Sequence, residues 1–284
     1  MILRHGADGK YEIYDIGSNS MLAAYDLSQV GTTWQFVGLG GFFGSDTTDM
    51  ILRNGNTGGF EVYDISNNLV TNAAFLGAVG LQWQLMGFGN FSSLGETDMM
   101  LRNRNTGGVE VCDIRNNQVT SVPFLGAVGL NWQFSGVGNF SSVPGETDLL
   151  LRNSTTGGFE VYDIANNQLT SAAFIGTVGL EWQFAGIAPI HAPGASDLVL
   201  RNVNSGAFEV YDIANNQLTG AAPLGSVGLD WQLGGLAANP PTASMGSSDG
   251  STSQLVQAMA GFGGGAADDS NDVFLGGDAS PRHF

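Results

Sequence analysis

The chain has a single cysteine, a single lysine and three histidines among its 284 residues, and no apolar run long enough to cross a bilayer as a helix. Cys112 has no partner for an internal disulfide, so the fold is not stapled. Lys10, His5, His191 and His283 supply little for acid–base or Schiff-base chemistry, which argues against an enzyme. Charge is scarce and one-sided: 12% of residues are charged, with 9 basic against 26 acidic, a formal net charge of −17. Affinity for a phosphate backbone comes mainly from Lys and Arg displacing counterions. Nucleic acid is therefore excluded as a partner, and an anionic membrane surface is disfavoured for the same reason. Residues Met1 to Lys10 lack the apolar stretch of a secretory signal peptide, which argues against classical export from this start.

What the chain does have is repetition. All five tryptophans, Trp34, Trp83, Trp132, Trp182 and Trp231, precede a glutamine and are spaced by 49, 49, 50 and 49 residues. The same steps separate Arg4, Arg53, Arg102, Arg152 and Arg201, each after a leucine. Glu12, Glu61, Glu110, Glu160 and Glu209 recur in the same register, as do Asp15, Asp64, Asp113, Asp163 and Asp212. Tyrosine precedes that aspartate in four units and Cys112 replaces it in the fifth, as a small apolar stand-in for a packed ring.

Each unit reads as short strands divided by turn residues. In one, strands are expected at 49–54 and 60–65, joined by Asn56-Thr57-Gly58-Gly59, where a glycine supplies the positive φ of a hairpin. Ser66-Asn67-Asn68 leads to a strand near 71–75, and Gly77 and Gly80 precede another at 83–91. Four short strands per repeat of about 49 residues, without helical periodicity, match a β-propeller blade. The glycine four residues after each Trp suits an innermost strand, where neighbouring blades converge. The chain enters the repeat at Met1-Ile2-Leu3-Arg4 and leaves it just past Trp231–Leu236. The expectation is an all-β, five-bladed β-propeller over residues 1–237, closed by N- and C-terminal strands that share a blade. A fragment of a longer array stays open, because the starting methionine also recurs inside the repeat.

The segment Gly89-Asn90-Phe91-Ser92-Ser93-Leu94-Gly95-Glu96-Thr97-Asp98-Met99-Met100-Leu101-Arg102-Asn103 resembles bacterial FG-GAP and VCBS-type repeats. That resemblance extends to the later Trp-Gln and implies an extracellular, non-catalytic binding or scaffold module. It also implies calcium in the loop between the first two strands of a blade, a hard cation held by six to eight oxygens. The corresponding positions are Asn90, Ser92, Leu94, Glu96 and Asp98, then Asn139, Ser141, Glu146 and Asp148 in the next loop. Another loop offers Gly41, Phe43, Ser45, Asp46 and Asp49, and the one near His191 offers only Asp197. Leu94 and Val143 stand where ligands belong, so the loops read as degenerate: calcium weak at best, and no other cofactor. The last aspartate of each loop is instead expected to accept backbone N–H bonds. His5 and His191 have no His or Cys companion at a ligand spacing, which argues against a transition-metal site.

The candidate ligand-binding set is Arg53, Glu61, Arg102, Glu110, Arg152, Glu160, Arg201 and Glu209. With the tryptophans, these suggest the sugar sites of propeller lectins, repeated once per blade. The competing reading is structural: Arg53 opposite Glu61 across a hairpin, with Trp in the packing between blades. Residues 238–284 are rich in Gly, Ala, Ser and Asp and read as a largely disordered tail or as a C-terminal export signal of the type I kind. The expected partner is a protein or glycan ligand, the expected state a monomer, and the expected location the cell surface or the secreted fraction.

Overall fold

The computed structural model describes residues 1–17, 20–43, 49–192 and 194–233. These residues contain strands and no helix. The first sheet comprises β1 (Ile2–Arg4), β2 (Lys10–Gly17) and β3 (Ser20–Gln29). The second runs β4 (Trp34–Gly40), β5 (Asp49–Asn54), β6 (Gly59–Ser66) and β7 (Leu69–Ala78). The third holds β8 (Trp83–Gly89), β9 (Asp98–Asn103), β10 (Gly108–Arg115), and an outer strand split into β11 (Gln118–Ser121) and β12 (Phe124–Ala127). The fourth is β13 (Trp132–Gly138), β14 (Asp148–Asn153), β15 (Gly158–Ala165) and β16 (Gln168–Thr177). The fifth is β17 (Trp182–Ala188), β18 (Asp197–Asn202), β19 (Ala207–Ala214) and β20 (Gln217–Ser226). Every pairing is antiparallel, between sequential neighbours except that β12 pairs with β10 beside β11, and the five sheets are the blades of a five-bladed β-propeller.

Local sequence explains the strand order. The second strand of a blade is a nearly continuous apolar run, as in Met50-Ile51-Leu52, each at most 1% exposed, because neighbouring blades cover both of its faces. The first and second strands meet at a bulge, and the Trp strand carries glycine where the next blade presses in. A Cβ on Gly38 would lie 2.4 Å from Phe88, and one on Gly136 would lie 2.5 Å from Ile187. Trp34, Trp83, Trp132 and Trp182 pack, partly buried, against these cores. The hairpin between the second and third strands turns at Gly58 with φ of 74°, as its sequence requires. The next hairpin is an Asn-Asn turn with both residues left-handed (φ of 51° and 62° at Asn67 and Asn68), the conformation of a type I′ turn that asparagine tolerates. Outer strands are mostly exposed, and Pro123 divides β11 from β12 at an edge, where a missing N–H disturbs no further neighbour. Phe75, Phe124 and Phe174, each 62% exposed, lie over Gly59, Gly108 and Gly158 of the adjacent strand.

Closure differs in detail from the expectation. The first sheet has three strands among the described residues, and Trp231–Leu233 lie outside any strand, with Trp231 67% exposed. The expected pairing of this segment along β1 is therefore not formed at residues 231–233. Residues 234–236 of that strand, and the tail at 238–284, lie outside the described residues.

Candidate functional sites

Register places the recurring arginine and glutamate on opposite faces of each blade. Arg53 pairs with Phe60, and Glu61 pairs with Leu52. The expected Arg53–Glu61 opposition is thus one residue out, and a one-residue shift exchanges the faces of a strand. The same register puts Arg102 opposite Val109, Arg152 opposite Phe159 and Arg201 opposite Phe208. The guanidinium groups stack 5.2, 5.2 and 5.5 Å from the rings of Phe60, Phe159 and Phe208. Each donates to a carbonyl in the crossing to the next blade: Arg53 to Gly80 (3.3 Å), Arg102 to Gly129 (3.0 Å) and Arg201 to Gly228 (3.0 Å). Arg152, 8% exposed, donates to Val178 (3.3 Å), Gly179 (2.7 Å) and the carbonyl of Trp182. Burial lowers Arg53, Arg102 and Arg152 from their ordinary pKa. These cations hold backbone together between blades.

The glutamates are engaged within their own strand. Glu61, Glu160 and Glu209 accept from Tyr63 (2.9 Å), Tyr162 (2.5 Å) and Tyr211 (2.6 Å). Burial, then the glutamate hydrogen bond, raises those phenols well above their usual range. Glu110 has Cys112 where the others have tyrosine, and burial raises its carboxyl. Cys112 itself, 4% exposed, is pushed up to about 12 by burial first and then by nearby acids, which leaves the thiol unreactive.

The calcium-like loops are closed on themselves. Asp98 and Asp148 are fully buried and accept from the backbone N–H of Ser92 (2.7 Å) and of Phe140 and Ser141 (2.8 and 2.7 Å). Asp49 and Asp197 receive loop N–H groups in the same way, as expected for a turn-capping aspartate. Asn90 accepts from Gly95 (2.9 Å), Glu96 pairs with Arg115 (2.9 Å), Asn139 donates to Val143 (2.8 Å), and Glu146 accepts from Ser141 (3.1 Å). Leu94 and Val143 point outward, 67% and 46% exposed. Ser45 and Asp46 lie outside the described residues. Burial, with Asp113 and Glu96 adding repulsion, raises Asp98 to about 7, and burial raises Asp148 to about 6.

A contact between blades was not foreseen from sequence. The second asparagine of each Asn-Asn turn reaches the recurring aspartate of the preceding blade. Asn117 Nδ2 lies 2.7 Å from both carboxylate oxygens of Asp64, and its backbone N–H donates to the Phe42 carbonyl (3.0 Å). The amides of Asn68 and Asn216 reach both oxygens of Asp15 and Asp163, and that of Asn167 donates to one oxygen of Asp113 (2.8 Å). Asp212 receives no such amide from the described residues; the register assigns that place to residue 19, which lies outside them. Thr97, Thr147 and Ser196 add a second tie, accepting from the backbone N–H of Gly41, Asn90 and Asn139 in the preceding blade. The recurrence of Asp and Asn at one step was the available signal.

His191 has neighbours that its sequence spacing did not reveal. His191 Nδ1 is 2.6 Å from Asp197 Oδ1 and 3.7 Å from Asp212 Oδ1, so its companions are carboxylates, not His or Cys. A cleft of about 260 Å³ opens between the fourth and fifth blades, walled by Phe159, Ile175, Val178, Leu198, Tyr211 and Ile213. Neither Arg152 nor Glu209 lines it.

Fold and geometry together define an all-β propeller whose recurring polar residues mainly join one blade to the next. No protein-family model matches the chain, and no curated protein matches it. Solved structures similar to it include the dihydro-heme d1 dehydrogenase NirN in complex with DHE, at 10% identity over 78% of this chain and 45% of that one, TM-score 0.44. Kluyveromyces lactis Hsv2 matches at 11% identity over 79% of this chain and 61% of that one, TM-score 0.43. The Dos1 propeller matches at 10% identity over 76% and 54%, TM-score 0.42. The chain thus spans 45%, 61% and 54% of the length of these proteins. Likeness at this level concerns the fold and says nothing about ligand or chemistry.

Proposed function

We propose that the protein is a non-catalytic binding or scaffold module of the FG-GAP/VCBS repeat type, working outside the cell, with a protein partner docking on the propeller face built by the loops between first and second strands. The observation that carries this reading is the exposed side chain at each loop. Phe43, Leu94, Val143 and Ile190 are 45%, 67%, 46% and 40% exposed on the same face, while Asp98 and Asp148 beneath them hold loop N–H groups through one carboxylate oxygen each. Exposed apolar side chains repeated around one face offer a partner apolar contacts. A partner of apolar and basic character fits a chain of net charge −17.

The lectin reading, with one sugar site per blade, needs Arg and Glu to converge, and within a blade they lie on opposite faces. Affinity capture from a culture's secreted proteins, with the immobilised wild type beside a Leu94→Ser/Val143→Ser variant of equal stability, tests the proposal. Loss of a captured protein in the variant supports docking on this face. Equal capture by both removes that face from the account.

A further inference from the structure

We propose that His191, Asp197 and Asp212 form a binding site for one divalent transition-metal ion of the zinc type. One ligand atom from each, Nδ1 of His191 and one carboxylate oxygen of each aspartate, lies within 4.8 Å of the others. The chain brings them together through the β18–β19 hairpin. Asp197 begins β18 and Asp212 lies on β19, one step beyond the Leu198–Tyr211 pair. His191 lies in the preceding loop, at the position filled by Ser92 and Ser141 in other blades.

One feature sets this blade apart from its neighbours. Only here among the described loops does an imidazole face the paired aspartates. Asp212 Oδ1 is shielded from solvent and has no hydrogen-bond partner, so it is available to a ligand. Asp197 is fully buried, and its Oδ2 is held by the backbone N–H groups of Ile190 and His191, both at 2.8 Å. That leaves Oδ1 fixed and aimed at the imidazole.

Ligand chemistry selects the ion. Zinc–nitrogen and zinc–oxygen bonds of about 2.0–2.2 Å in tetrahedral array place ligand atoms about 3.3–3.6 Å apart. The 3.7 Å His191–Asp212 separation is close to that value, and the 2.6 Å His191–Asp197 separation is a hydrogen bond that must open as the metal replaces its proton. Calcium needs six to eight oxygens, and here it finds two carboxylates and a nitrogen. The set therefore differs in donors and in metal class from the oxygen-rich loop sites that the repeat resembles. His191 is 40% exposed, so water reaches the remaining coordination position.

The experiment is equilibrium binding of Zn²⁺ and of Ca²⁺ to the full chain by titration calorimetry, with metal content measured after dialysis. The wild type should take up one Zn²⁺, unaffected by a large excess of Ca²⁺. Asp212→Asn should weaken zinc at least tenfold and His191→Gln at least a hundredfold. Melting in a chelator should be unchanged for Asp212→Asn, whose Oδ1 has no hydrogen bond to lose. His5→Gln serves as the control, because His5 also lies 2.7 Å from an aspartate, Asp8, on an exposed hairpin. Absence of zinc uptake at micromolar free metal, uptake that survives His191→Gln, uptake abolished by His5→Gln, or displacement by calcium would each overturn the proposal.

Discussion

Removing the Asn117 side chain should loosen two blades, and the size of the effect can be worked out from its contacts. Asn117 is 5% exposed and Asp64 2% exposed, and the amide lies 2.7 Å from both carboxylate oxygens. A hydrogen bond to a charged group contributes about 1.5–3 kcal/mol, and the buried carboxylate left behind keeps only Asn72 (3.1 Å) among its side-chain donors. Asn117 also has a φ of 58°, which costs alanine about 1–2 kcal/mol and is tolerated by asparagine and glycine. Asn117→Gly should therefore cost about 2–3 kcal/mol through the lost contact alone. Asn117→Ala should cost about 1 kcal/mol more, through backbone strain. Urea denaturation at neutral pH reads both. In a cycle with Asp64→Ala, the pair should show a coupling of at least about 1 kcal/mol, as contacting residues do. Asn117→Gly within about 0.5 kcal/mol of the wild type would refute the claim that this contact joins the blades.

Three further outcomes follow from the same structure. Asp98 and Asp148, raised to about 7 and about 6, bind protons in the folded state that they release in the unfolded chain between about pH 4 and 7, so their contribution is present at the acidic end and lost as pH rises. The urea midpoint should fall from pH 5 to pH 8 and fall less in Asp98→Asn; a midpoint that rises over this range in the wild type would contradict the burial argument. Gly58→Ala places a Cβ 1.9 Å from the Val79 carbonyl oxygen at a φ of 74° and should cost about 2–4 kcal/mol, while Gly55→Ala, with nothing nearer than 3.6 Å, should cost far less; equal melting temperatures would show that the hairpin shifts freely. Millimolar calcium should move the melting temperature little, because Glu96 and Asp98 are already engaged; stabilisation near 2.7 kcal/mol, the value for a hundredfold excess over Kd, would show that the loops open for the ion.

The blades were legible in the sequence because each strand and turn carries its own local cause. Gly58 and the Asn-Asn turn fix backbone angles, and Met50-Ile51-Leu52 reads as a strand covered on both faces. Relations between strands were harder. A hairpin loop one residue longer than assumed moves Arg53 from Glu61 to Phe60, and that single step turns the expected cross-strand Arg–Glu pair into a cation stacked on a ring. Contacts between blades join residues 53 or 54 apart, such as Asn68 with Asp15 and Asn167 with Asp113, and no reading of one repeat reveals them. His191 stood outside every ligand spacing because its partners are six and 21 positions away and meet only when β18 and β19 pair.

The central claim is that the recurring arginines are spent on joining blades and that the protein's ligand is met elsewhere. A glycan array probed with the wild type and with Arg102→Ala tests it most directly. The account predicts that no sugar is retained through the arginine positions, so the two proteins give the same pattern. A neutral glycan held by the wild type and released by a fully folded Arg102→Ala variant would contradict it.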